Sequence, residues 1–265
     1  VMGILNVTPD SFSDGGLHAG PAAEAGHAMA AAGAAIIDIG GESTRPGAKP
    51  VWEGDEIARV LPVARQLAGS GTALSIDTRK AAVMEAVLEI APAIFNDVSG
   101  LTWDERAMPL AARAGCPVVL MHHQGSPETM QESPHYDRPV LFAVYDWLEE
   151  RIAAAEVAGI ARANIIVDPG IGFGKTVQHN LQLMNGLALF HGLGCPVLLG
   201  ASRKRTIGAL SNEAPADQRL GGSLAFALKG AEQGVQLLSV HDVQETVPAV
   251  RVWRGMRDAA LTPQV

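Results

Sequence analysis

The sequence has few of the features that mark secreted, membrane or nucleic-acid-binding proteins. Two cysteines among 265 residues are too few for a disulfide framework. No uncharged apolar run reaches the roughly eighteen residues of a membrane helix, and no charged-then-apolar leader precedes the first hydrophobic run. The 20 basic residues, outnumbered by 28 acidic ones, form no run that would follow a phosphate backbone. We therefore expect a cytoplasmic protein that binds neither nucleic acid nor membranes.

What the sequence does contain is enough apolar material for one large core. Hydrophobic residues make up 48% and charged residues 18%, which is typical of a globular protein. Cys116 and Cys195 each lie in a Gly-Cys-Pro-Val turn before an apolar run, so we expect packed thiols and no disulfide or metal site. The chain begins at Val1, and we expect a short N-terminal segment to precede it in the complete protein.

Short apolar runs alternate with alanine-rich helical patterns along the whole chain. Parallel strands buried on both faces give such runs, and each parallel pair needs a crossover helix. Eight regular units favour a single α/β domain over residues 1–265, a (β/α)8 TIM barrel, although an open doubly wound sheet gives the same alternation with fewer units. The predicted strands are 1–7, 35–40, 73–78, 93–98, 117–122, 164–168, 196–200 and 235–241. The predicted helices are 21–33, 55–68, 80–91, 104–115, 140–159, 178–192, 216–234 and 244–260.

Every predicted strand ends in polar side chains, where a barrel of this kind carries its reacting groups. Helix capping or core hydrogen bonding accounts for one or two such residues, with Asp97 and Asp242 as the best candidates, but not for all eight ends. Carboxylates and amides with cations near the rim suit a flat, donor-rich heterocycle that carries an anionic group. The polar ends are Asn6, Asp38 with Glu42 to Arg45, Asp77, Asn96 with Asp97, His122 with His123, Asp168, Ser202 to Lys204, and His241 with Asp242.

One glycine-rich segment imitates a nucleotide-binding loop. The segment GIGFGKT at 170–176 ends like a phosphate-binding P-loop, yet that motif needs a glycine where this chain has Pro169. The predicted position after the sixth barrel strand is also wrong for a P-loop. An NTPase is therefore not expected.

Four strings together resemble the bacterial dihydropteroate synthases: NVTPDSFSDGG at 6–16, DIGGESTRPG at 38–47, DPGIGFGK at 168–175 and SRK at 202–204. The resemblance covers nearly the whole chain. It implies a transferase of folate biosynthesis, and a sulfonamide target, that joins 6-hydroxymethyl-7,8-dihydropterin diphosphate to 4-aminobenzoate with release of diphosphate. It also implies Mg²⁺ as a cofactor, these two small molecules as substrates, and a homodimer.

The resemblance also implies roles for individual residues. The pterin ring would be held by Asp77, Asn96, Asp168 and Lys204, with Asp77 and Lys204 as catalytic residues. Asn6 would lie near the metal and the diphosphate, and His241 would contact the diphosphate. The 4-aminobenzoate side would comprise Thr44, Arg45, Pro46, Phe173 and Ser202, and the loop from Pro9 to Gly16 would be a mobile lid. Alternatively, Asp77 and Asp168 cap helices, Lys204 is a solvated loop charge and Phe173 fills the core.

The last strand departs from the family pattern. The family normally has Arg-Val-His there, and this chain has Ser239, Val240 and His241. Serine cannot supply the charge and planar face of arginine. A pterin-binding protein without turnover is therefore a second hypothesis. A pterin-dependent methyltransferase on the same barrel is a third, but it gives no reason to keep the loop at 43–46.

Overall fold

The computed structural model describes residues 1–8, 19–43, 50–125 and 129–261. It contains eight β-strands, each within one of the predicted segments, so the predicted strands are confirmed. Their order along the chain is the one that a barrel requires. The strands are β1 (Met2–Asn6), β2 (Ile36–Gly40), β3 (Ala73–Asp77), β4 (Ala93–Asp97), β5 (Val118–Met121), β6 (Ile165–Asp168), β7 (Leu198–Gly200) and β8 (Leu237–Val240).

All paired strands run parallel, and the sheet closes on itself. Neighbouring strands follow the order β6, β5, β4, β3, β2, β1, β8, β7. A parallel bridge between Val167 and Val197 joins the two outer strands, and Val167 N donates to Pro196 O at 2.9 Å. The expected TIM barrel is thus confirmed.

The helices agree with the expected positions except between β6 and β8. The predicted helix over 178–192 is two pieces, because α6 ends where Gly186 N bonds to Gln182 O and Leu183 O, and a 3-10 helix (Leu187–Leu193) follows. A short helix after β7 was not predicted, and the next helix begins at Leu220 instead of 216. The helices are α1 (Ala19–Ala31), α2 (Glu53–Leu67), α3 (Ala81–Leu88), α4 (Ala107–Ala114), α5 (Val140–Val157), α6 (Val177–Asn185), α7 (Arg205–Leu210), α8 (Leu220–Glu232) and α9 (Val243–Leu261).

Two apolar clusters form the core. The larger one lies between the strands and the surrounding helices, and the smaller one fills the base of the barrel interior with Met2, Val119, Ile166 and Leu198. Cys116 and Cys195 are buried and unbridged, as predicted for packing thiols. In the described part of the chain, no helix is long and apolar enough to cross a membrane.

Because successive side chains of a strand alternate between faces, the residues two and four positions after this basal layer also point into the barrel. Apart from Met121 at the end of β5, the interior positions near the carboxyl ends of the strands are polar or small. They are Asn6, Asp38, Gly40, Ser75, Asp77, Asn96, Asp168, Gly200 and Ser239. The apolar base and the polar mouth thus follow from one alternating pattern.

Candidate active site

Adjacent strands bring Asp77 and Asn96 side by side at the barrel mouth. They are register partners at the ends of β3 and β4. Asn96 Nδ2 donates to Asp38 Oδ2 at 2.9 Å. This bond fixes the amide and leaves its carbonyl oxygen available to accept. Asp38 Oδ1 and Asp77 Oδ1 are buried, and neither oxygen has a hydrogen-bond partner among the described residues.

Unpaired buried carboxylate oxygens carry a large desolvation cost, and the pKa values reflect it. Burial raises the pKa of Asp77 well above its usual range, and the neighbouring charge of Asp38 adds to the effect while Lys204 opposes it. Burial also raises the pKa of Asp38 to about 6, although Ser75 and Asn96 favour the ionised form. A donor-rich ligand at this position would satisfy both carboxylates.

Asp168 and Lys204 lie on the opposite side of the mouth. Asp168 Oδ1 accepts from Gly170 N at 2.7 Å, which holds the carboxylate at the start of the loop after β6. Burial raises the pKa of Asp168 to about 6, opposed by Gly170 N–H, Lys204 and Lys175. The charge of Lys204 acts on both Asp77 and Asp168, while burial lowers its own pKa. The structure therefore brings the four predicted pterin residues around one opening.

Phe173 and Lys204 form a contact at the rim of the opening. The Lys204 ammonium lies 4.1 Å from the centroid of the partly buried Phe173 ring. Glycine is favoured on both sides of Phe173, because Gly170, Gly172 and Gly174 all have positive φ. An added Cβ at Gly170 would lie 1.8 Å from His122 O. The glycines that resemble a P-loop thus serve a tight turn after β6 that presents Phe173.

Asn6 and His241 lie on neighbouring strands. A Cβ placed on Gly40 would be 3.8 Å from Asn6 Oδ1 and 3.4 Å from Asp77 Oδ2, so both oxygens flank the bare Gly40 backbone. His241 Nδ1 lies 3.1 Å from Ser202 Oγ, which also accepts from His241 N at 3.2 Å. Ser202, predicted for the 4-aminobenzoate side, therefore contacts the residue predicted for the diphosphate.

Three predicted 4-aminobenzoate residues, Thr44, Arg45 and Pro46, lie outside the described residues, as does the predicted lid from Pro9 to Gly16. Both flanks of the 44–49 segment are described. Val51 N donates to Glu42 Oε2 at 2.6 Å, which joins one flank to the other.

The Glu42 carboxylate belongs to a buried ion network that the sequence did not indicate. Lys80 donates to Glu42 Oε2 at 2.7 Å and to Glu56 Oε2, and Arg79 Nε lies 2.9 Å from Glu42 Oε1. Glu56 is fully buried and Lys80 is 2% exposed. The one available signal in the sequence was weak: Glu56 is a charged residue at a position of α2 that faces the core.

Ser239 points into the barrel beside Gly200 of β7 and Met2 of β1. Neither Arg203 nor Lys175 is free to supply the charge of the expected arginine, because the protein itself engages both. Arg203 forms a double contact with Asp242, through Nε at 3.0 Å and through Nη2. Lys175 is 2% exposed and bonded to the protein's own backbone.

Two further acidic residues have structural roles. Asp97 accepts from Ser99 N at 2.7 Å, from Ser99 Oγ at 2.7 Å and from Leu101 N at 3.1 Å. Both of its carboxylate oxygens are therefore used in a turn. Asp242 pairs with Arg203. These were the two acidic residues for which a structural role was the preferred alternative.

The fold and this opening define a class: a parallel barrel with an acidic, amide-containing mouth built for a small donor-rich ligand. The family model described as pterin binding enzyme matches residues 2–241. The chain belongs to this family.

Individual relatives agree with that assignment. The dihydropteroate synthase of Escherichia coli K12 is 49% identical over 255 residues, covering 95% of this chain and 89% of that protein. The Yersinia pestis dihydropteroate synthase, solved with a sulfonamide drug complex, superposes with a TM-score of 0.91 at 45% identity, covering 97% of this chain and 94% of that one. The Xanthomonas albilineans enzyme, solved with 4-aminobenzoic acid, gives 0.90 at 46% identity, covering 97% and 92%.

Proposed function

We propose that the protein is a dihydropteroate synthase, which joins 6-hydroxymethyl-7,8-dihydropterin diphosphate to 4-aminobenzoate and releases diphosphate. The observation that carries the proposal is the pair of buried carboxylate oxygens of Asp38 and Asp77, which have no hydrogen-bond partner within the described ranges and lie beside the fixed amide of Asn96. Acceptors of this kind match the amino group and ring N–H groups of a reduced pterin. The similarity to named synthases over 95% of the chain supports the same reaction.

Recognition of the pterin would use both sides of the mouth. Asp77, Asn96 and Asp168 would accept from the ring, and Lys204 would donate to the ring carbonyl. Charge-assisted hydrogen bonds to a desolvated ring are the stronger kind, which favours the carboxylate form of Asp168. The base of the barrel is packed with apolar side chains, so the ligand would stop at this layer.

The residues near β1 also fit Mg²⁺. This ion prefers oxygen ligands and is commonly bound through one or two protein groups together with substrate phosphates. Asn6 Oδ1 and Asp77 Oδ2 offer oxygens on the two sides of Gly40. Asn6 would hold the ion, with the diphosphate completing its shell. When bound, Mg²⁺ would neutralise charge on the departing diphosphate.

The chemistry would require neither a nucleophile nor a strong base on the enzyme. As diphosphate leaves, positive charge spreads over the pterin methylene and ring, and the buried carboxylates of Asp77 and Asp168 would stabilise it. The arylamine of 4-aminobenzoate, held in position near Phe173 and Ser202, would then form the new C–N bond at the methylene carbon and release one proton to solvent or to the departing diphosphate. His241 would contact the diphosphate from the end of β8.

Turnover of both substrates tests the proposal directly. The protein is incubated with the pterin diphosphate, 4-aminobenzoate and Mg²⁺, and dihydropteroate and diphosphate are quantified. Both products should appear in equal amounts, and a chelator should stop their formation until Mg²⁺ is restored. Pterin binding without either product would support instead a binding protein without turnover. The family resemblance further supports a cytoplasmic homodimer, and sedimentation of the purified protein tests the dimer.

A further inference from the structure

The ammonium of Lys175 is buried and fully engaged by the protein itself. Its Nζ lies 2.9 Å from His122 Nδ1, donates to Phe173 O at 3.0 Å, and lies 3.4 Å from His122 O. A lysine has three N–H donors, so these acceptors use all of them. Lys175 is therefore not free to reach a ligand, although it lies next to the candidate site.

These bonds join two loops that pack backbone to backbone. His122 follows β5 and Phe173 follows β6, and His122 N also donates to Asp168 O at 2.9 Å. No side chain fits between the loops, because a Cβ on Gly174 would lie 2.4 Å from Gln124 O. The ammonium thus bridges the loop that carries Phe173 to the end of the neighbouring strand.

Lys175 also brings a charge into this interface. Its imidazole partner, His122, is neutral, because burial and the nearby cation lower the pKa of His122 to about 2. Asp168 is the neighbouring acidic group: its Oδ1 accepts from Gly170 N at 2.7 Å, and a Cβ on Gly170 would lie 3.3 Å from Lys175 Nζ. Burial lowers the pKa of Lys175 to about 7 and raises that of Asp168 to about 6, and the attraction between the two groups opposes both effects. The further titratable groups near Lys175 come from several elements. They are His122 and His123 after β5, Tyr136 before α5, His179 in α6 and Lys204 after β7.

We propose that Lys175 is a positioning residue of the synthase site: its hydrogen bonds tie the main chain at Phe173 to His122, and its charge stabilises the Asp168 carboxylate that accepts from the pterin. This inference rests on the proposed function. It assigns Lys175 a role through Phe173 and Asp168, with no contact to substrate. The glycine-rich segment and its lysine, which resemble a P-loop, are then explained without a nucleotide.

Two variants separate the charge from the hydrogen bonds. Lys175→Gln removes the charge and keeps N–H donors for the carbonyls, whereas Lys175→Met removes both. Binding of 6-hydroxymethylpterin is measured by calorimetry between pH 5 and 8, since a protonated Asp168 would no longer accept. An opposite charge nearby lowers a carboxyl pKa by about 1–3 units, so both variants should lose affinity at higher pH than the wild type. At pH 6 we expect about tenfold weaker binding in each variant than in the wild type.

Steady-state kinetics test the positioning of Phe173. The KM for 4-aminobenzoate should rise several-fold more in Lys175→Met than in Lys175→Gln. Lys229→Met is the control, because Lys229 is an exposed lysine paired with Glu232 on α8 and should leave both the pH profile and KM unchanged. Thermal melts report whether each variant folds, and if Lys175→Met does not, Lys175→Gln still decides the effect of the charge.

The proposal is overturned if the acid limb of pterin binding coincides in wild type and Lys175→Gln. It is equally overturned if the limb moves in Lys229→Met as well. Wild-type protein that binds no pterin at any pH would instead contradict the proposed function. The two failures are therefore distinguishable in one set of titrations.

Discussion

Placing an arginine at position 239 tests a position where the family resemblance implies arginine and this chain has serine. Ser239 is 6% exposed and points into the barrel beside Gly200, which has no side chain. A Cβ on Gly200 would lie 3.6 Å from Asp168 Oδ2, so the space above Gly200 leads toward the acidic side of the mouth. The side chain of Ser239→Arg would therefore extend over Gly200 into the opening.

The size of the effect follows from the charge that is missing. A hydrogen bond to a charged group contributes about 1.5–3 kcal/mol, and 1.4 kcal/mol corresponds to one decade. We expect Ser239→Arg to raise turnover and diphosphate affinity by roughly one to two decades. Compensation by existing cations would reduce this gain, but Arg203 is paired with Asp242 and Lys175 has no free donor.

The assay compares kcat, KM and diphosphate affinity for the wild type, Ser239→Arg and Ser239→Gln. The glutamine variant adds length and polarity without charge and should give little gain. Equal turnover in all three proteins would mean that a neighbouring cation already serves the diphosphate, and our interpretation of Ser239 would be wrong.

Three further perturbations address other parts of the site. Asp168→Asn should weaken pterin binding measured by calorimetry by about 5- to 150-fold, since a mismatched buried hydrogen bond costs ~1–3 kcal/mol and about 1.4 kcal/mol corresponds to one decade; unchanged affinity would remove Asp168 from the site. 4-Aminobenzoate should bind weakly alone and tightly with diphosphate, and equal affinity under both conditions would contradict ordered binding. Lys80→Met should lower the free energy of unfolding, measured by urea denaturation, by about 3–5 kcal/mol, because Glu42 and Glu56 would stay buried without this cation. Arg106→Gln is the control: it breaks an exposed ion pair and should change the free energy of unfolding little.

The barrel itself was predictable from sequence because its strands are buried on both faces. The stretches 117–121 and 165–167 are continuously apolar, and each is followed by a polar residue, His122 or Asp168. The helix between β6 and β7 was predicted less well. Its alanine-poor sequence continues an apolar period across Gly186, and only the backbone bonds at that glycine show that the helix ends there.

Long-range contacts between buried polar side chains were not predictable in the same way. Glu42 and Lys80 are 38 residues apart, and Lys175 is 53 residues from His122. Neither pair has a periodic spacing, so only the packing of neighbouring strands brings the partners together. The residues Thr44 to Pro46 stay predictions from the family resemblance.

The buried carboxylates show what structure adds to the list of polar strand ends. Asp97 and Asp38 are both buried, and burial raises the pKa of each to about 6. Yet both oxygens of Asp97 accept hydrogen bonds within a turn, while one oxygen of Asp38 and one of Asp77 have no partner in the described residues. A carboxylate whose acceptors are all used stabilises the fold, whereas one left short of donors costs stability until a ligand supplies them. From the sequence, Asp38, Asp77 and Asp97 look alike, as acidic residues in the last part of a strand. Only their hydrogen bonds show that Asp97 stabilises a turn and that Asp38 and Asp77 belong to the candidate site.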